Sequence, residues 1–452
     1  MPLITPRTFR GTRDFLPSEL LGRRRILEVI EEAYRRYGFQ PLETPAIEYL
    51  DILTGKSEEN DKLIYEIKRA RGEEEETAES AIALRYDLTV PLARVVAQYG
   101  SELPRPFKRY QIQPVWRADR PQPRQGRFRE FVQCDADIVG TESLLADAEI
   151  VALTYKVLRD LGFEKFVIRI SSRKFLRELA EHFTHDPNMF LPFCRALDKL
   201  DKIGIEGVGE ELKGYSIESE RVMNLARDYL EKPVMDMPMP WWYEELVRRE
   251  GIEAIHGGDE IMELAQSAFK LGVPQEFIRW DPTLARGLDY YTGPIFESVC
   301  PDLPHLGSLS GGGRYDGLVG TFSKEKWPAV GTTLGLDRIQ TALTQLNKFK
   351  TQPSTTQALV ARFDSEGMSE NLKIAAELRQ AGVNVEIWYD DDRMKKQFAY
   401  ADKQGIPLVI ICGPDERNEG MVAVKNLKTT EQKKVSRTQL IETVQSLLRE
   451  VQ

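Results

Sequence analysis

Between Phe107 and Gly140, apolar and polar residues alternate in two runs separated by a turn-rich loop. Tyr110, Ile112 and Pro114-Val115 mark the first run, and Phe128, Phe131 and Val132 the second. A period of two on both sides of a turn predicts two antiparallel strands and their hairpin. A helical period precedes it: Ile26, Val29, Ile30, Ala33 and Tyr37 form one stripe, which Ser18 can cap and Gly38 can end. Pro41 and Pro45 then exclude a helix and favour an extended segment at a sheet edge, because neither can donate to a ladder. Farther on, Leu84, Tyr86 and Leu88 alternate with Asp87 and Thr89, which predicts a short strand with those two polar side chains on the opposite face, then a helix from Val90. If that face lines a pocket, a carboxylate beside a hydroxyl suits an ammonium group.

After the hairpin, Ser143 can cap a helix carrying Leu144, Ala148, Val151, Tyr155 and Leu158, with Gly162 at its end, and 166–170 reads as a strand. From about Arg173 to Gln275 the composition turns helical and charged, broken by the Met/Pro/Trp run 233–245, where such residues usually serve as core. Strand chemistry returns from Phe277. Glycines crowd at 311–313, where backbone must turn sharply or approach a ligand closely. They match neither the GxxxxGK[ST] phosphate loop nor a GxGxxG dinucleotide unit. Gly335-Leu336-Asp337-Arg338 leads into a helix and puts Arg338 near its start. The segment 349–356 has linker composition. From 357 to 452, strands and helices alternate regularly, predicting a separate small α/β domain with a largely parallel sheet.

Bulk properties narrow the partners. A chain of 452 residues predicts two to three domains. No apolar run is long enough to span a membrane, and the N-terminal stretch has no secretory pattern. Cys134, Cys194, Cys300 and Cys412 stand far apart, as expected of reduced cytosolic thiols. His182, His185 and Asp186 lie together, yet no further ligands at suitable spacing accompany them, so no metal site is expected from His or Cys. The block Glu73–Glu76 reads as a solvated loop. A formal net charge of −9 argues against indiscriminate polyanion binding, although a specific RNA partner needs only local basic surface. The hairpin supplies such a surface in Arg117, Arg120, Arg124, Arg127 and Arg129, and lysines of the terminal domain supply another. Guanidinium forks fit a nucleotide triphosphate or an RNA backbone, and the alternative is a solvated charged hairpin.

Three separated segments resemble the motif set of class II aminoacyl-tRNA synthetases. Arg36-Tyr37-Gly38-Phe39 through Pro45-Ala46-Ile47 is similar to the first motif. Trp116-Arg117-Ala118-Asp119 with Arg127-Phe128-Arg129-Glu130-Phe131 is similar to the second, and Gly331 with Gly335-Leu336-Asp337-Arg338 to the third. The segments 284–291 (LARGLDYY) and 312–317 (GGRYDG) resemble the pair that marks the histidyl-tRNA synthetase family. Asp119, Asp137 and Asp337 stand where many members carry glutamate. The resemblance implies an α+β fold: a class II antiparallel-sheet catalytic domain (1–172 and 276–348), a helical insertion (173–275), a linker (349–356) and a C-terminal α/β anticodon-binding domain (357–452).

It also implies a reaction, in which histidine is activated with ATP to histidyl-adenylate and then transferred to the 3′ end of tRNA(His). Arg117, with Asp119 nearby, would hold the α-phosphate of ATP and Arg338 the γ-phosphate, while Arg286 would lie over the reacting phosphorus. Mg²⁺ would bridge the phosphates. Asp87, Thr89 and Gln133 would take the ammonium group of L-histidine, and Asp137, Tyr291 and Tyr315 its imidazole. Arg124 and Gln125 would meet the tRNA acceptor end. A cytoplasmic homodimer is implied as well. Imidazole offers two ring nitrogens, and a site built to bond both can discriminate by about 10⁴ to 10⁵, so no editing domain is expected. The rival reading is a synthetase-like paralogue that binds histidine as a regulatory subunit of ATP phosphoribosyltransferase. Arg286 and the terminal domain oppose it.

Overall fold

The computed structural model describes residues 3–55, 61–68, 81–215, 217, 220, 222–224, 227, 248, 256–285 and 290–451. They fall into two compact units, 1–14 with 26–349, and 15–25 with 350–452. The Glu73–Glu76 block and the Met/Pro/Trp run lie outside the described residues.

In the first unit the strands are β1 (Gln40–Pro41), β2 (Ile47–Tyr49), β3 (Tyr65–Ile67), β4 (Ile82–Leu84), β5 (Phe107–Trp116), β6 (Glu130–Val139), β7 (Val167–Ser172), β8 (Ile278–Trp280), β9 (Pro294–Val299), β10 (Ser308–Arg314) and β11 (Ala329–Gly335). Eight of them form one sheet in the order β1-β5-β6-β11-β10-β9-β7-β8. Its marginal pairs β1–β5 and β7–β8 are parallel, and the interior is antiparallel. The predicted hairpin is β5 and β6, paired from Phe107↔Val139 to Trp116↔Glu130. Pro41 sits in the marginal strand β1, where its missing N–H costs no ladder bond. A second sheet, β2-β4-β3, lies alongside.

The stripe Ile26, Ile30, Ala33 and Tyr34 of helix Pro17–Arg36 buries against β5, β6 and the helix Leu144–Asp160 in one continuous core. The helix starts at Pro17, one residue before Ser18. Proline is pre-organised for a first turn, so Ser18 lies inside the helix and does not cap it. Ser143 does cap: its Oγ accepts from the Leu145 N–H at 3.3 Å. Within 173–275, the helices Arg173–Thr184, Phe190–Leu197, Leu200–Gly214 and His256–Lys270 share the same core through Phe175, Leu179, Phe193, Leu212, Leu264 and Ala268.

Two sequence expectations change here. The strand before Asp87 ends at Leu84, and 85–88 is irregular, because Arg85 turns its guanidinium into acceptors of the neighbouring segments. Of the two readings of the triple glycine, the sharp turn is excluded, because the three residues are the middle of β10. A Cβ on Gly312 would lie 2.2 Å from the Gly331 carbonyl oxygen and one on Gly313 would lie 2.8 Å from that of Pro294, whereas Gly311 faces open space. Two of these glycines therefore allow close packing, and the third keeps a hollow clear.

In the second unit, β12 (Ala358–Val360), β13 (Val385–Ile387), β14 (Leu408–Ile411), β15 (Met421–Asn426) and β16 (Gln432–Ser436) form a sheet in the order β13-β12-β14-β15-β16. The sheet is mixed: β12 runs parallel to β13 and β14, and β15 and β16 are antiparallel. β16 has no apolar alternation to betray it. It carries Lys433 and Lys434 at the margin, where charge protects an open edge.

Candidate active site

Three cross-strand rows span β5, β6 and β11 on one face of the large sheet. Arg109 stands opposite Asp137, which stands opposite Gly331. The next rows are Gln111–Asp135–Thr333 and Gln113–Gln133–Gly335. Directly paired residues share a face, so the hairpin lays a stripe of polar side chains where a sheet normally buries apolar ones. Gln133, Asp135, Asp137, Gly311, Gly331 and Thr333 floor a cleft of about 1020 Å³. Its walls include Asp87, Thr89, Arg117, Tyr291, Tyr315 and Arg338. A cavity of about 250 Å³ adjoins it, sharing Arg117, Arg127, Gln133 and Arg338 and adding Asp119, Phe131 and Asp337.

At one end of the cleft, Asp87 precedes the helix Thr89–Tyr99 and its Oδ1 accepts from the Val90 N–H at 3.1 Å. Burial pushes this carboxyl up to about 6, against the pull of the Val90 N–H and of Arg117 and Arg109. Gln133 donates from Nε2 to the Thr333 Oγ1 at 3.1 Å, which leaves its Oε1 buried with no hydrogen-bond partner. A buried acceptor beside a carboxylate is a receptor for a cationic N–H donor.

Deeper in, the Tyr315 hydroxyl donates to the Asp137 Oδ1, and the Arg109 Nη2 lies 2.8 Å from the Asp137 Oδ2. Burial raises the Asp137 carboxyl, and Arg109 and Tyr315 draw it back. Tyr290 lies tilted against Tyr291 with ring centroids 4.6 Å apart and meets Tyr315 edge-on at 6.2 Å. Burial lifts the Tyr290 hydroxyl to about 12 and those of Tyr291 and Tyr315 well above the ordinary phenol value, so all three remain donors at neutral pH. The result is a small aromatic chamber with an anchored carboxylate, the chemistry that a planar ring bearing N–H groups requires.

Beside Asp87, the Arg117 Nε donates to the Tyr86 carbonyl at 2.9 Å, and its guanidinium lies 5.2 Å over the Phe131 ring. The Arg338 Nη1 donates to the Ser308 carbonyl at 2.8 Å, at the start of helix Leu336–Gln345. Both arginines border both cavities, although 221 residues separate them in the chain (338 − 117). Arg286 lies outside the described residues.

The remaining expected residues divide. Gln125, on the exposed turn Pro123–Gln125, borders the cleft, whereas Arg124 on the same turn is exposed and is not among the lining residues. Asp119 accepts from the Arg120 N–H at 2.8 Å and pairs with Arg127 at 2.9 Å. Asp337 pairs with Arg13 and accepts from the Val132 N–H at 3.2 Å. Both carboxylates are thus engaged by cations and amides, and no group of three or more potential metal ligands occurs among the described residues.

Sequence reading missed Arg109 and Asp135 as parts of this region, and it placed Tyr290 and Phe131 in family motifs without giving them a site role. A signal for the first two existed, since Arg109, Gln111, Gln113 and Gln133, Asp135, Asp137 are two polar runs of period two inside otherwise buried strands.

Comparison with known proteins agrees with this geometry. The family model for histidyl-tRNA synthetase matches residues 11–339, and that for an anticodon binding domain matches residues 357–447. The histidine–tRNA ligase of Cytophaga hutchinsonii is 41% identical over 94% of this chain and 96% of its own length. That of Gloeobacter violaceus is 40% identical over 95% and 96%. The crystal structure of histidyl-tRNA synthetase from Nostoc sp. PCC 7120 covers 98% of this chain and 100% of its own, with 33% identity and a TM-score of 0.85. On the motifs, the fold and these matches together, the chain belongs to the histidyl-tRNA synthetase family.

Proposed function

We propose that this chain is a histidine–tRNA ligase, which activates histidine with ATP and transfers it to the 3′ end of tRNA(His). The observation that carries this reading is the shared cleft: Arg117 and Arg338 line it together with Asp87, Gln133 and Asp137. Such a cleft fits a triphosphate and a dipolar amino acid side by side.

In this reading Asp87, Thr89 and the open Gln133 Oε1 hold the ammonium group, while Asp137, Tyr291 and Tyr315 hold the imidazole. One oxygen of the histidine carboxylate attacks the α-phosphorus in line, the bond from that phosphorus to the α,β-bridging oxygen breaks, and pyrophosphate leaves. Arg117 neutralises the charge that builds on the α-phosphate and Arg338 the γ-phosphate, while Arg286 is assigned to the reacting phosphorus from its motif alone. Pre-placed cations of this kind lower the barrier without a covalent enzyme intermediate. A hydroxyl of the terminal tRNA adenosine then attacks the acyl carbon and AMP departs. Magnesium belongs with the nucleotide, as part of the substrate, since the nearby carboxylates are already engaged. Arg124 and Gln125 are assigned to the acceptor end and the second unit to the anticodon.

Exposed Ile47 and Tyr49 on β2 support a homodimer through the first motif. Four buried cysteine thiols suit a reducing, cytoplasmic setting. No helix among the described residues is long and apolar enough to cross a membrane. Histidine-dependent exchange of pyrophosphate into ATP, followed by charging of tRNA(His), tests the proposal. Histidine binding without exchange would instead support the regulatory reading.

A further inference from the structure

Beneath the cleft lies a guanidinium that the reaction above does not use. Arg109 is closed to solvent, which is costly for a charge unless its partners are close. Besides the Asp137 Oδ2 at 2.8 Å, its Nη2 donates to the Leu88 carbonyl at 3.3 Å and lies 3.9 Å from the Asp135 Oδ2. Its Nη1 donates to the Gln111 Oε1 at 3.2 Å. Leu88 is the residue between Asp87 and Thr89. One side chain therefore touches both the carboxylate at the deep end of the cavity and the turn that carries the ammonium receptors.

Arg85, equally buried and only a few residues away in space, shows what a purely structural arginine looks like in this fold. Its hydrogen bonds go to neutral acceptors, the carbonyls of Thr44, Pro45 and Pro114 and the side chain of Gln113. Arg109 instead divides one positive charge between two carboxylates, Asp135 and Asp137, both of which border the cleft. Burial raises both carboxyls against the pull of Arg109, so the charge on this floor depends on the guanidinium beneath it.

We propose that Arg109 is a positioning residue for histidine recognition, with Asp135 as its charge partner: the guanidinium locks Asp137 and the Asp87–Thr89 turn into one rigid unit. The inference rests on the assignment of this cavity to histidine. Asp137 is approached from both sides, by a hydrogen bond from Tyr315 on one oxygen and by an ion pair with Arg109 on the other, Oδ2, which keeps no hydrogen-bond partner, so the carboxylate is oriented with an acceptor open to a substrate N–H. Asp135, 3.9 Å from the guanidinium, is its second acidic partner.

The test measures histidine affinity by calorimetry and both KM values by pyrophosphate exchange for wild type, Arg109→Met, Arg109→Lys and Arg109→Met/Asp135→Asn. Arg109→Met is expected to raise the histidine Kd and KM at least tenfold while the ATP KM moves less than twofold. Its histidine affinity should also keep rising to higher pH than that of wild type, because carboxylates without their guanidinium hold protons longer. The double variant removes the guanidinium together with its second acidic partner. It should regain thermal stability while histidine affinity stays weak, since Asp137 is still unclamped. If Arg109→Met does not fold, the double variant and Arg109→Lys, which keeps the charge but loses the fork, decide the matter. A histidine Kd within twofold of wild type in the folded variants overturns the proposal. So does equal loss for both substrates, or recovery of affinity together with stability in the double variant. Wild type that binds histidine but exchanges no pyrophosphate refutes the ligase reading and leaves the positioning test intact through Kd. Wild type that binds no histidine refutes both.

Discussion

Asp137 on β6 and Gly331 on β11 are cross-strand partners, and a Cβ built on Gly331 would lie 1.9 Å from the Asp137 Oδ1. The carboxylate occupies the space that a side chain at 331 would take. Gly331→Ala should therefore displace Asp137 from Tyr315 and Arg109. Overpacking of this kind costs about 1–3 kcal/mol of stability. Thermal unfolding measures that cost, and an accompanying rise in histidine KM measures the displaced carboxylate. Wild-type values for both would show that the strand pair yields without moving Asp137.

Tyr315 holds the other side of the same arrangement. Tyr315→Phe keeps the ring and removes the donor to Asp137, leaving a buried acceptor short of one bond. The loss of such a bond costs about 1–3 kcal/mol. In exchange assays the variant should show a histidine KM raised roughly five- to a hundredfold, with the ATP KM steady. A change confined to ATP would remove Tyr315 from the amino-acid end.

At the phosphate end, Arg117→Ala removes the guanidinium that borders both cavities. Removing one pre-placed donor from a developing anion typically costs about 10² to 10³ in kcat. Single-turnover adenylate formation should fall by that order while histidine binding measured by calorimetry persists. Arg117→Lys should recover only a small part, because a point charge cannot reproduce the fork. Unimpaired adenylate formation in Arg117→Ala would contradict the assignment.

The buried Asp87 gives a pH signature. Its carboxyl sits at about 6 in the fold, against an ordinary value of 3.8, because burial disfavours the charged form. The folded chain thus holds this proton to higher pH than the unfolded chain. Its contribution to stability is fully present below about 4 and is lost as pH rises through about 6. An ammonium ligand favours the ionised form, so the gain in melting temperature from saturating histidine should be larger at pH 7.5 than at pH 5. Asp87→Asn should flatten that difference. Equal gains at both pH values in the wild type would argue against Asp87 as the ammonium receptor.

A good deal of this architecture was legible along the chain. The alternation of Tyr110, Ile112, Phe131 and Val132 predicts the β5–β6 hairpin, because the strand pleat imposes a period of two whatever lies on either side. Ser143 and Gly162 bracket a helix for equally local reasons, a side-chain cap and a left-handed residue at φ +89. Pro41 belongs at a sheet margin because it lacks an N–H. Each of these depends on a residue and its near neighbours.

The cleft does not. Asp137 meets Gly331, and Asp135 meets Thr333, only because β6 and β11 pair in one register across about 200 residues of intervening chain, and that register follows from the burial of one whole face of the sheet. The same pairing turns three glycines, poor strand formers in isolation, into the middle of β10, where packing against β9 and β11 overrides propensity. Arg109 reads locally as one more charged strand residue. Its enclosure, and its grip on Asp137 and the Leu88 carbonyl, arise from long-range packing that brings separate segments around one guanidinium and excludes water from it.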